Sequence, residues 1–219
     1  MILLGLCIAL IIVLFLLSRE VSRSLATLFF RLTKNEKITL FLLSVILLPG
    51  VVVHELSHLL TAHLLFVKAG KMEFFPQVQG EHIKLGSVAV ARSDPLRKLF
   101  IGVSPLLFGI SLLFALSFFL SPFSHTFSWQ MLLFVYTLFE VGNTMFSSKK
   151  DMEGARTLLF LLVIGFLLLI FFSVSVRQQV FQLVGAPFMQ QVLLQLDSIL
   201  FCVVVLDAAF FLLAKYSLR

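Results

Sequence analysis

Long apolar runs separated by short polar stretches dominate the chain. Six of them, at 2–17, 38–60, 100–120, 129–146, 158–176 and 194–213, come near the ~20 residues a helix needs to cross a bilayer. With their flanking turns they predict helices over 2–17, 38–66, 96–120, 129–146, 156–176 and 194–215. The stretch between the second and third runs has a different period. Within 71–92, apolar and polar residues alternate in Gln77-Val-Gln, His82-Ile-Lys-Leu and Ser87-Val-Ala-Val-Ala-Arg. Gly80 and Gly86 punctuate these segments, and Pro76 suits an edge position. The expected fold is therefore an all-α polytopic membrane protein of about six transmembrane helices, with a small β-hairpin or meander between helices 2 and 3. No internal repeat is visible, so residues 1–219 are read as a single domain.

Composition supports lipid as the solvent. The chain is 60% hydrophobic and only 13% charged, with a mean hydropathy of +1.08. A soluble domain is closer to half apolar and a quarter charged. The net charge of +6 is scattered through loops without a Lys/Arg run, which argues for contact with anionic lipid and against nucleic acid. Cys7 and Cys202 both sit in apolar runs and read as small buried hydrophobes, with neither disulfide nor metal spacing. The first apolar run has no basic residue before it and no small-residue cleavage site after it, so it reads as a retained helix and not a signal peptide.

Loop charges set the expected orientation. With the N-terminus inside, eleven Lys/Arg lie in the cytoplasm and six outside, which places both termini in the cytoplasm. The first loop, 18–37, votes the other way with five basic residues, and 21–32 could form an amphipathic helix on the membrane surface.

One motif carries chemistry. His54-Glu55-Leu56-Ser57-His58 is an HExxH sequence inside the second apolar run. Residues four apart on a helix are offset by about 40° and ~6 Å, so His54 and His58 can offer two imidazoles to one ion. Glu55 beside them can take a proton from a water that the ion activates and pass it to a leaving amine. Two His and a Glu at this depth are costly unless they serve a function. Pro49-Gly50, about one turn earlier, is expected to kink the helix.

A third ligand must come from elsewhere in the chain. His63 falls about 180° round the helix from His54, and His82 and His125 lie in loops. Better candidates surround the fourth run: Glu140, Asp151 and Glu153. Runs two and four cross the bilayer in the same direction, so the C-terminal ends of both reach the same membrane face. Asp197 and Asp207, in the last run, read as structural hydrogen-bonding residues.

At these residues the chain resembles the site-2 protease family of intramembrane zinc metalloproteases, in a divergent, minimal bacterial form. In that family HExxH lies in one transmembrane helix and a later helix supplies an aspartate. Asn143 and Asp151 keep the family's Asn-to-Asp spacing, although its prolines are absent and Met152-Glu153 separate Asp151 from Gly154. The resemblance implies one Zn2+ per chain held by His54, His58 and Asp151. It also implies Glu55 as general base and Asn143 as a residue holding substrate or the tetrahedral intermediate. The implied partner is a membrane-protein substrate, pre-cut by another protease and then cleaved in or near its transmembrane segment, with an edge strand of the β-rich loop holding it extended. The expected location is a prokaryotic plasma membrane. Two other readings compete: an inactive metal-binding or scaffold protein of the same fold, for which a retained Glu55 has no purpose, and a small transporter, for which paired broken helices are missing.

Overall fold

The structure is a computed structural model that describes residues 1–73, 77–79, 82–84, 87–91, 93–118, 129–148 and 150–217. Pro76, Gly80, Gly86, His125 and the loop 121–128 lie outside the described residues.

The chain begins with α1 (Ile2–Thr33) and α2 (Glu36–Leu64), which form a tight helical hairpin. Lys34 turns into the left-handed region at φ 50°, and the Asn35 side chain caps α2 by accepting the N–H groups of Lys37 and Ile38. The expected first helix ended at residue 17, with a separate surface helix beyond it. Instead α1 runs on for 32 residues. No Gly or Pro interrupts 18–33, and Val21 and Leu25 bury against Leu43, Leu47 and Val51 of α2. Packing holds this stretch on the protein.

Among the described residues four strands follow: β1 (Ala69–Glu73), β2 (Gln77–Gln79), β3 (His82–Lys84) and β4 (Ser87–Val90). β1 pairs antiparallel with β4 and β2 with β3, so two hairpin ladders are nested. The alternation that predicted β2, β3 and β4 does not reach β1, where Ala69-Gly70-Lys71 carries little β-propensity. β1 forms because its partner β4 is strongly patterned. Ala69 of β1 and Val90 of β4 pack on Ala62, Val67 and Ile101, which fixes the outer ladder beside the C-terminal end of α2.

Then come α3 (Pro95–Ser117), capped by the Asp94 side chain with Pro95 in its first turn, and α4 (Trp129–Thr144). A stretch of turns leads to α5 (Arg156–Phe172), α6 (Val174–Gly185) and α7 (Pro187–Ser217). The fifth predicted helix is broken. Ser173 ends α5 in extended backbone and caps α6 through its hydroxyl, and the two helices meet at 102°. α6 was not expected, because Arg177, Gln178, Gln179 and Gln182 dilute its apolar pattern.

The main core joins α1, α3, α4 and α7 through Leu10, Leu14, Leu113, Val141, Leu200 and Val203. Gly142 meets Val203 and Gly109 meets Met145 where a Cβ could not fit, so small residues let these elements approach closely. No residue of α5 is buried. Among the described residues, four helices are long and apolar enough to cross a membrane, or five if the α5–α6 pair counts as one. At 16 residues, α4 falls short of that length. The protein is a mostly helical membrane protein with a small β-structure.

Candidate metal centre

His54 and His58 stand one turn apart near the C-terminal end of α2, with ring centroids 4.9 Å apart. The Nδ1 of His54 lies 2.7 Å from the Thr144 carbonyl oxygen, and the Nδ1 of His58 lies 2.7 Å from that of Ile101. A carbonyl oxygen can only accept, so each Nδ1 donates. A neutral ring with its proton there keeps a lone pair on Nε2. Thr144 is the last residue of α4, where helix carbonyls have no partner of their own.

Both Nε2 atoms face Asp151. His54 Nε2 is 3.5 Å from Oδ2, and His58 Nε2 is 3.6 Å from Oδ1. These separations are too long for hydrogen bonds. They are close to the ~3.4 Å expected between two ligand atoms each ~2.1 Å from a tetrahedral ion. His58 Nε2 is buried with no hydrogen-bond partner among the described residues, which a lone pair at this depth can tolerate if it binds a cation. His54, His58 and Asp151 thus form a cluster that could hold a metal ion, their ligand atoms all within 4.8 Å of one another.

Asp151 reaches this position from the turns after α4. The Ser148 N–H donates to Asp151 Oδ2 at 2.6 Å, and the Asp151 N–H donates back to Ser148 Oγ at 3.2 Å. Ser147 Oγ ties the turn to α3 by donating to the Gly102 carbonyl at 2.5 Å. A Cβ on Gly102 would collide with the Asp151 carbonyl, so only glycine admits the turn at this distance. Burial pushes the Asp151 carboxyl up, but its contacts with His54, His58 and Ser148 outweigh that and hold it well below the usual carboxylate range.

The remaining candidates lie apart from the cluster. Glu140 is buried in α4, where one carboxyl oxygen accepts the Gly50 N–H at 3.2 Å. Glu153 is exposed in the turn. His63 is exposed, its Nδ1 2.8 Å from the Leu59 carbonyl oxygen. The Asn143 amide N–H groups donate to the Phe139 carbonyl at 2.9 Å and to Asp207 Oδ1 at 2.8 Å, while its Oδ1 has no partner among the described residues. Both amide hydrogens are committed. Asp207 therefore has the hydrogen-bonding use expected of it, and Asp197 is buried with the Cys7 thiol as its neighbouring polar group. Glu55 is buried beside His54.

Several contributors escape a motif search because they act through the backbone. The Thr144 and Ile101 carbonyls orient the imidazoles, and Gly102 makes room for Asp151. The Gly102-Val-Ser-Pro105 sequence inside an apolar helix was the available signal. Comparison with family models, curated proteins and solved structures gives no match.

Proposed function

We propose that this protein is an intramembrane zinc metalloprotease of the site-2 protease type. The observation that carries the reading is the convergence of His54, His58 and Asp151 at one end of an apolar helix whose motif also supplies Glu55. The donor set fits a catalytic zinc site, in which two histidines and one carboxylate leave a position open. One zinc per chain would supply Lewis acidity there and lower the pKa of water to about 7.

The chain's own residues do the rest. The carbonyls of Thr144 and Ile101 fix the imidazoles, and Ser148 fixes the carboxylate. Glu55 takes the proton of the attacking water as the water oxygen bonds to the scissile carbonyl carbon. It then gives that proton to the amine nitrogen as the C–N bond breaks. The substrate is a membrane-anchored protein, pre-cut by another protease and cleaved in or near its transmembrane segment. The β1–β4 ladder, packed beside the end of α2, offers an edge where such a segment can lie extended. In this reading α4 completes a six-span topology, both termini are cytoplasmic, and the membrane is a prokaryotic plasma membrane.

The engagement of Asn143 with Asp207 favours the second reading, an inactive metal-binding or scaffold protein of the same fold. Glu55→Gln separates the two. In liposomes with zinc and a panel of tagged single-span proteins, the wild type is expected to cut a reporter, and the variant to retain zinc and lose cleavage. Equal cleavage by the variant overturns the role of Glu55, and no cleavage by the wild type favours the scaffold.

A further inference from the structure

His54 and His58 depend on carbonyl oxygens for their orientation, and a helix carbonyl is normally occupied. In an α-helix the C=O of residue i−4 accepts the N–H of residue i. Thr144 escapes this at the end of α4, but Ile101 lies inside α3, six residues past its first residue. The residue that would occupy the Ile101 carbonyl is residue 105, and residue 105 is proline, which has no N–H.

We propose that Pro105 is a positioning residue for the metal centre: by withholding that N–H, it reserves the Ile101 carbonyl for His58 Nδ1–H and so aims Nε2 at the ion. This rests on the reading of His58 as a ligand. Three observations bear on it. The Ile101 oxygen receives two side-chain donors in place of the backbone one, His58 Nδ1 and Ser104 Oγ, each at 2.7 Å. Pro105 is itself fully buried inside α3, so its ring cannot be explained by exposure at a helix end. Ser104 Oγ also lies 3.4 Å from Ser57 Oγ and 3.5 Å from His58 Nδ1, close enough to compete for the imidazole if the carbonyl turned away. A proline in mid-helix removes one backbone hydrogen bond and crowds the preceding turn. That loss is intelligible if the carbonyl it frees sets the tautomer of a ligand.

The test uses the full chain in nanodiscs, labelled with 15N-histidine. In the metal-free wild type, the His58 ring is expected to report the Nδ1–H tautomer. Pro105→Ala restores an N–H that competes for Ile101, so the tautomer signal should shift toward Nε2–H. Zinc affinity should fall by about 10–100-fold, the range for removing an outer partner of a metal-bound histidine. Helicity and thermal stability of the metal-free variant should hold or rise, because alanine is the better helix former. A merely structural proline would move stability and leave the tautomer alone. Pro49→Ala, the same substitution in α2, should leave the His58 signal in place. An unchanged His58 tautomer in Pro105→Ala, or an equal change in Pro49→Ala, overturns the proposal. Should the wild type bind no zinc, the metal-centre reading fails, while the tautomer measurement still decides the role of Pro105.

Discussion

Single residues decide whether the metal centre exists. Asp151 brings the carboxylate to the two Nε2 atoms, whereas Glu140 spends its carboxyl on the Gly50 N–H and Glu153 faces out of the turn. Asp151→Ala is accordingly expected to lose zinc by more than the about 10–100-fold typical of an outer-shell change. Glu140→Ala and Glu153→Ala should keep zinc, as read by competition with a chelating dye. Zinc lost from Glu140→Ala but kept by Asp151→Ala would reverse the assignment. Gly102 supplies a second test. Its missing side chain admits the Asp151 carbonyl, so Gly102→Ala forces the turn outward. Overpacking of this kind costs about 1–3 kcal/mol, and here part of it should appear as weakened zinc binding. Unchanged affinity would mean that the turn does not need this close approach. The two histidines and Glu55 were legible from spacing alone. By residue type Asp151 stood level with Glu140 and Glu153, and only the Asn-to-Asp spacing of the family resemblance favoured it; the folded turn after α4 is what brings it to the two histidines.

At the scale of elements, α4 braces α2 where α2 is weakest. Pro49 has no N–H to give the helix, and the turn around it is met from outside: the Tyr136 hydroxyl donates to the Ile46 carbonyl at 2.6 Å and Glu140 accepts from Gly50. Tyr136 and Glu140 sit one turn apart on α4, and the Ile46 carbonyl and Gly50 N–H they meet are the i, i+4 pair that spans Pro49 in α2. Tyr136→Phe is expected to cost about 0.5–1.5 kcal/mol, the net worth of one hydrogen bond. Glu140→Ala should cost a similar amount, about 0.5–1.5 kcal/mol, because the Gly50 N–H loses this acceptor and keeps only its helical one, the Ile46 carbonyl. Both are measurable by chemical unfolding in mixed micelles. A loss for neither would mean that the Pro49 turn stands unaided. Helix existence was plain from the apolar runs, and β2 to β4 from alternation. What the sequence did not reveal were features set by neighbours. α1 continues past residue 17 because Val21 and Leu25 have partners on α2, and β1 forms on β4. The break at Ser173 is a local capping event inside a run that remains apolar on both sides.

For the whole molecule, the lipid-facing surface and the protein core are distinct. α5 is apolar from Leu158 onward yet has no fully buried residue, whereas Leu113 at the junction of α3, α4 and α7 is fully buried. Leu113→Ala should destabilise the fold by about 2–5 kcal/mol, and Leu161→Ala, on the exposed side of α5, should be close to neutral. Comparable losses would place α5 in a protein interface. The order of helices also puts the end of α2, the β-structure and the turn carrying Asp151 on one side, together with the N-terminus. After Cys7→Ser and Cys202→Ser, single cysteines at Lys71 and Lys150 should react with an impermeant maleimide only from the cytoplasmic face. Labelling of the two from opposite faces would break the topology on which the site depends.

The claim under all of this is that His54, His58 and Asp151 share one ion. Elemental analysis of the purified full chain, prepared without added metal, alongside His58→Ala, tests it directly. One equivalent of zinc per wild-type chain, absent from the variant, is the predicted result. A substoichiometric content that His58→Ala leaves unchanged would contradict it.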